Sequence, residues 1–411
     1  MFMLLTGGAG LAASAGPVRA SGSGNPHQNN SSSTDGYDIG GRRIVGEDGY
    51  ATIETAWEAA EDGDTVYVHS SYDAQTAGEE FPIVLDYGTK QVTLTGGHPS
   101  GSIIDAGDVD ENVIEVIGTG SSDYRNNPVV RNLRIEGGNI GLRVRCAPYA
   151  SFENLVLYNT GSHGTYIDSH SDGGTFGTNW FNCQAWNCGG DGFREKRSAD
   201  PHATAYFGCQ AIANRGVGFR LRGTASHLSG GTTQLNHSYG VEVRSGRSVN
   251  VSGVYIEGNA RSEDYPVEIY ATRADGLLVD GCYFHGINPR GANHDYTRVQ
   301  RGVNVHDTSQ ITVRDNFVRR YGNGFIAIFG CSDGDMHSGS HCLDDAELFG
   351  VDPTSNGNVR IRSDGMILPT DLSSIDGAHE YDCGYHVGSD GSEGHAVWYD
   401  GEWHLAQTTT L

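Results

Sequence analysis

Lysine is nearly absent from this chain. Of 27 basic residues only Lys90 and Lys196 are lysine, against 51 Asp and Glu, and the net charge is −24. So little positive charge leaves no electrostatic footprint for nucleic acid, which is excluded as the expected partner. Apolar runs are short, and none makes a stable membrane span. Also missing are a phosphate-binding glycine loop, a zinc-type Cys/His spacing and a Ser-His-Asp signature, so no organic cofactor is expected. What the chain has instead is glycine, 60 residues of it against 13 Phe. That balance predicts many short strands and tight turns rather than long helices. The acid excess matches a surface that stays hydrated and self-repelling in concentrated salt, and a halophilic protein is expected.

The opening "MFMLLTGGAGLAASAGPVRASGSG" has an apolar core followed by small residues. Residues 1–21 are read as an export signal, resembling the twin-arginine type without its arginine-bearing part, and 22–44 as a linker. A secreted or cell-surface protein is therefore expected. Eight cysteines suit that compartment. Cys331 and Cys342, bracketing "CSDGDMHSGSHC", are the expected disulfide. Cys183 and Cys209 hold matching places in successive repeats and are read as stacked interior side chains.

Internal periodicity carries the architecture. A glycine followed by alternating residues recurs as "NIGLRVR", "SHGTYID", "GDGFREK", "GVGFRLR", "SYGVEVR", "RGVNVH" and "GNGFIAI", with a related coil at "YPVEIY". A second element precedes each, as in "VRNLRIEGG", "FENLVLYNT" and "WFNCQAWNC". Two strands per turn of roughly two dozen residues describe a parallel β-solenoid with rungs about 4.8 Å apart. The first residue after each glycine faces inward. "YATIETAWEAAEDGDTVYV" supplies a short amphipathic helix to cover the open end.

The run "IETAWEAAEDGDTVYVHSSY", with "QVTLTGG" and "IIDAG", resembles the opening of right-handed parallel β-helix proteins of the pectate-lyase-like superfamily. The resemblance implies an all-β, right-handed parallel β-helix over 45–330, with an N-terminal helical cap. Residues 331–411, ending "HAVWYDGEWHLAQTTTL", are read as a small C-terminal β module. Lyases, hydrolases, epimerases and viral tailspikes share that fold, so the activity must come from the site.

Alternation turns the second and fourth residues after each glycine outward. The second places read Arg143, Tyr166, Arg194, Arg220, Glu242, Glu268 and Asn304. The fourth read Arg145, Asp168, Lys196, Arg222, Arg244, Tyr270 and His306. Seven of the 27 basic residues thus share two adjacent columns, and "GDGFREKRS" is one rung of a cationic stripe. Like charges on neighbouring rungs repel. Either acids on neighbouring rungs offset this, or the stripe holds an extended polyanion such as a uronate-bearing or sulfated polysaccharide. Tyr158, Tyr166, Tyr239, Tyr255, Trp180 and Trp186 are candidates to stack on sugar rings.

Two chemistries fit. A lyase removes the proton beside a uronate carboxylate and expels the 4-linked sugar, which needs a base and a cation over the carboxylate. Lys196 is the first candidate base, its proton loosened by neighbouring arginines, with Arg220, Arg222, Tyr166 and His163 as others and Arg194 and Arg244 as clamps. A hydrolase or epimerase would use paired carboxylates, for which Asp168, Glu242 and Glu268 are the outward candidates. The third reading is a glycan-binding or spike-like protein without catalysis, monomeric or trimeric. Ca²⁺ is a candidate ligand at Asp168, His170 and Asp172, and at Asp105, Asp108, Asp110 and Glu111. Glu195 falls on an interior place. A register slip before the loop "RSADPHATA" is expected rather than a buried carboxylate.

Overall fold

The computed structural model describes residues 41–47, 49–119, 127–168, 174–199, 201–261 and 267–285 throughout, with strands beyond them to Gln407 and some side chains to Phe317. Strands form three sheets of 13, 10 and 11 members, parallel throughout, so the architecture is a parallel β-helix. One coil gives one strand to each sheet in turn, as in Asn179–Phe181, Gln184–Trp186 and Phe193–Glu195. Each coil therefore has three strands where the sequence reading has two.

The missing corner lies inside the element ahead of each glycine. Its first residue adopts left-handed φ of 52° to 64° at Asn132, Asn154, Asn182, Gly208 and Gly253. Asn and Gly are the residues that tolerate this backbone. The second corner residue turns inward, and Leu133, Leu155, Cys183, Cys209 and Val254 are fully buried. Cys183 and Cys209 are thus interior neighbours on consecutive rungs, and burial pushes the Cys183 thiol up. Cys183, Cys188, Cys209 and Cys282 are free thiols. Cys331 and Cys342 lie outside the described residues.

Stacking of like residues fills the core. Phe193 and Phe219 lie 4.8 Å apart at an interplanar angle of 3°, and Phe152 stacks on Trp180 at 4.2 Å. A polar column stands beside them. Asn214 Nδ2 donates to Asn236 Oδ1 at 2.9 Å, and Asn236 Nδ2 to Asn259 Oδ1 at 2.7 Å. The column ends on Glu268, whose carboxylate accepts Asn259 Nδ2 at 2.6 Å and the Gly258 and Asn259 N–H groups at 2.9 and 3.2 Å. Each amide meets the next because parallel register repeats it once per rung.

At the N-terminal end, Ile53, Ala56 and Trp57 of the helix Ile53–Ala59 are buried. Thr52 caps it, and the buried Glu79 carboxylate accepts the Ile53 N–H at 2.6 Å and the Glu54 N–H at 3.1 Å. No helix among the described residues is long and apolar enough to cross a membrane. Parallel pairing runs past residue 330, through Asp335–His337 and Phe349–Val351 to Arg360–Arg362. A separate four-stranded sheet, starting at Ile367–Leu368 and ending at Glu402–Gln407, supplies the C-terminal β module.

Candidate functional site

The third sheet carries the charged stripe. Pairing aligns Glu115, Arg143, Tyr166, Arg194, Arg220 and Glu242 on successive rungs. The next two are Tyr270 and Asn304. The sequence reading places Glu268 beside Glu242, two residues out of register. Glu268 is instead fully buried at the end of the asparagine column, and burial raises it to about 7. Tyr270 belongs to the second column, and Thr272 and His306 continue the fourth beyond Arg244.

Two acids unnoticed in the sequence interleave the cations. Glu115 pairs with Arg143 at 3.1 Å and with Arg145. Its coil has Val113 where the others have the marker glycine, which hid it. Asp191 lies just before Gly192. It accepts the Val217 N–H at 2.9 Å and pairs with Arg220 Nε at 2.8 Å. Asp168 bridges Arg143 and, at 2.8 Å, Lys196. Glu242 lies 2.7 Å from Arg220 and 3.1 Å from Arg244, with neither contact aligned as a hydrogen bond.

Asp168 and Glu242 face outward by register yet are 5% and 1% exposed, covered by these partners. Neither is a solvent-facing carboxylate ready for hydrolysis. Lys196 also departs from expectation. Its hydrogen bond to Asp168 raises its proton affinity, so it stays an ammonium. Glu195 keeps register with Ile167 and is fully buried, so the strand does not slip. Its carboxyl is held by backbone and hydroxyl donors rather than by the neighbouring Arg and Lys, and burial raises it to about 7.

Among the described residues, seven cations against four carboxylates leave a local surplus of three in a chain of −24. The surplus concentrates at Arg194 and Arg222. Arg222 makes no ion pair among the described residues, and its Nε is buried without a hydrogen-bond partner. Burial, with Arg220 beside it, lowers its proton affinity. Arg194 reaches Asp191 only at 3.5 Å and lies over the Tyr166 ring at 5.1 Å. Its Nη1 also meets His163 Nε2 at 2.9 Å. His163 Nδ1 accepts the Asp191 N–H at 2.9 Å, which puts the proton of the neutral ring on Nε2. Nε2 and Nη1 are then donor against donor, so Arg194 gains nothing there. Burial lowers His163 to about 4, so the imidazole is neutral near pH 7.

Tyr166 sits 5.6 Å from His163, and its hydroxyl makes no hydrogen bond among the described residues. The other aromatic candidates divide. Trp180 is fully buried, while Trp186 is exposed and edges against Tyr158. Tyr239 stacks on Tyr270 at 4.7 Å and Tyr255 on Tyr283 at 5.3 Å, so each has one face closed to a sugar.

For calcium, Asp168 already spends its oxygens on Arg143 and Lys196, and His170 and Asp172 lie outside the described residues. Asp105 closes a turn on the Gly107 N–H at 2.8 Å. No group of three metal-ligating side chains occurs among the described residues.

No protein-family model and no curated protein matches this chain. Solved structures similar to it include the A-module of the Azotobacter vinelandii mannuronan C-5 epimerase AlgE4, at 12% identity over 73% of this chain and 93% of that one, TM-score 0.43. Another is tailspike protein 3 of bacteriophage CBA120, at 10% identity over 87% and 67%, TM-score 0.45. A third is the catalytic unit of a thermostable alpha-1,3-glucanase from Streptomyces thermodiastaticus, at 14% identity over 81% and 69%, TM-score 0.39. At these identities no residue role passes to this chain.

Proposed function

We propose that the third sheet binds an acidic polysaccharide along the column Lys196, Arg222 and Arg244 and cleaves it by β-elimination. The observation that carries this reading is Arg222, a half-buried guanidinium that feels Glu242 at longer range but makes no ion pair among the described residues, in a stripe with surplus positive charge. A cation left unpaired beside other cations is costly unless an anion completes it. Arg194, whose contact with Asp191 is long at 3.5 Å, is the second cation offered to the same anion.

Over a uronate carboxylate these guanidiniums neutralise the charge that builds as the adjacent carbon loses its proton. The electron pair then forms the C4–C5 double bond, the bond from C4 to the glycosidic oxygen breaks, and that oxygen takes up a proton. Tyr166 is our candidate to carry those protons, with His163 beside it, since Lys196 is bound to Asp168 and both His163 nitrogens are already engaged. Export, salt adaptation and a monomeric or trimeric state remain part of the proposal on composition and fold. Calcium would need ligands beyond those described.

The test is a panel of pectate, alginate, hyaluronan, chondroitin and sulfated glycans in high salt, with and without calcium. Absorbance of unsaturated ends, lost in Tyr166→Phe and reduced in Arg222→Ala, is the expected result. Reducing ends without absorbance would turn the reading to hydrolysis, and binding without product to a glycan-binding role. Neither binding nor product on any acidic glycan sinks it.

A further inference from the structure

Arg222 owes its freedom to the coil beneath it. Pairing between the strands Phe193–Glu195 and Phe219–Leu221 stops at Arg194↔Arg220. Beyond that point the Glu195 side chain replaces the ladder. Its Oε2 accepts the N–H of Arg222 at 2.7 Å and of Gly223 at 2.8 Å. The Ser226 hydroxyl lies 3.0 Å from both oxygens, and the Tyr206 hydroxyl donates to Oε1 at 3.3 Å. The corner is closed as well as bonded. A Cβ on Gly223 would come within 2.3 Å of the Pro201 carbonyl oxygen and 2.6 Å of Ser226 Oγ.

Other rungs of the same column show the alternative. Arg145 and Arg244 stay within their strands, paired to Asp168 and Thr272. Their guanidiniums turn to Glu115 and Glu242. Arg222, whose strand has ended, makes no ion pair among the described residues, and Glu242 acts on it only from beyond that reach.

We propose that Glu195 is a positioning residue, whose buried carboxyl takes the place of ladder carbonyls and turns the chain at Arg222 so that this guanidinium faces the stripe unpaired. The inference rests on the reading of Arg222 as the anion-binding cation, but part of its test does not. Peptide mapping after phenylglyoxal treatment reports the reactivity of Arg222 with no glycan present. Glu195→Ala is expected to change that reactivity severalfold. Glu195→Gln is expected to restore it, because its oxygen can accept both N–H groups while its amide donates to the hydroxyls.

Calorimetric titration with oligogalacturonate gives the second readout. Glu195→Ala and Arg222→Ala should each weaken binding by about tenfold or more, with no added loss in the double variant. Unchanged Arg222 reactivity in folded Glu195→Ala overturns the proposal, and so do additive losses. Should Glu195→Ala fail to fold, Ser226→Ala carries the same comparison with a smaller displacement. Absence of oligogalacturonate binding by the native protein counts against the functional reading alone, and Arg222 reactivity then decides this one.

Discussion

Inside the coil stack, Asn214, Asn236 and Asn259 hand one hydrogen bond to the next until Glu268 closes the series. On the third sheet, Glu115, Asp168, Asp191 and Glu242 pair with six of the seven cations and leave Arg222 without an ion pair among the described residues. Both columns arise from the same device, a parallel register that repeats a residue type once per coil. They differ in closure. The interior column contains its own acceptors and asks for nothing more, so it serves the fold. The outward column carries more donors than acceptors, and that imbalance is what a ligand can satisfy.

The largest expected effect breaks the interior column. Asn236 Nδ2 donates to the Ala211 carbonyl at 3.0 Å, and its Oδ1 accepts the Asn214 N–H at 3.0 Å. Asn236→Ala strands these partners in the core and should lower stability by about 2–4 kcal/mol in urea unfolding. Glycan binding should stay unchanged. A loss of binding at full stability would erase the distinction between the columns.

Next comes the pH response of the buried carboxyls. Glu195 and Glu268 hold their protons up to about 7, against an ordinary value of 4.5. Between those limits the folded state binds more protons than the unfolded one. The stability they contribute is therefore full below 4.5 and is lost as pH rises through 7, on the order of 3 kcal/mol for each. Urea midpoints from pH 4 to pH 8 should fall more steeply for the native protein than for Glu195→Gln. Equal slopes would deny Glu195 its raised proton affinity.

Arg222→Ala sharpens the outward side, with binding reduced by at least about tenfold and stability moved by less than about 0.5 kcal/mol. The smallest effect belongs to Lys196→Ala. Its side chain is 41% exposed and its ion pair with Asp168 is worth about 1 kcal/mol or less. Product formation should drop no more than severalfold, and abolition by this one change would return Lys196 to the role of base.

The solenoid was legible because its marker glycines and inward residues repeat. So was most of the stripe, since period-two alternation fixes the outward face. The three-strand coil was not, because one left-handed Asn or Gly bends an element without breaking its alternation. Glu115 escaped for want of a marker glycine. The register error at Tyr270 arose in the coil "YPVEIY", which has no such glycine to anchor the count. Glu195 was misread because an interior carboxylate violates patterning, and only the fold shows the four donors that hold it. The cations and two of their acids, Asp168 and Glu242, could be named from the sequence, but which cation stays unpaired is a matter of distance.

Five of the seven cations ride on strands joined by main-chain hydrogen bonds, and Lys196 and Arg222 directly follow theirs, so their separation along the axis is set by the peptide backbone. Side-chain motion alters reach but not this interval of about 4.8 Å. The third sheet is in that sense a ruler. It compares the charge spacing of a polymer with its own graduation, and adding or deleting one coil would lengthen or shorten the segment measured without recalibrating the scale.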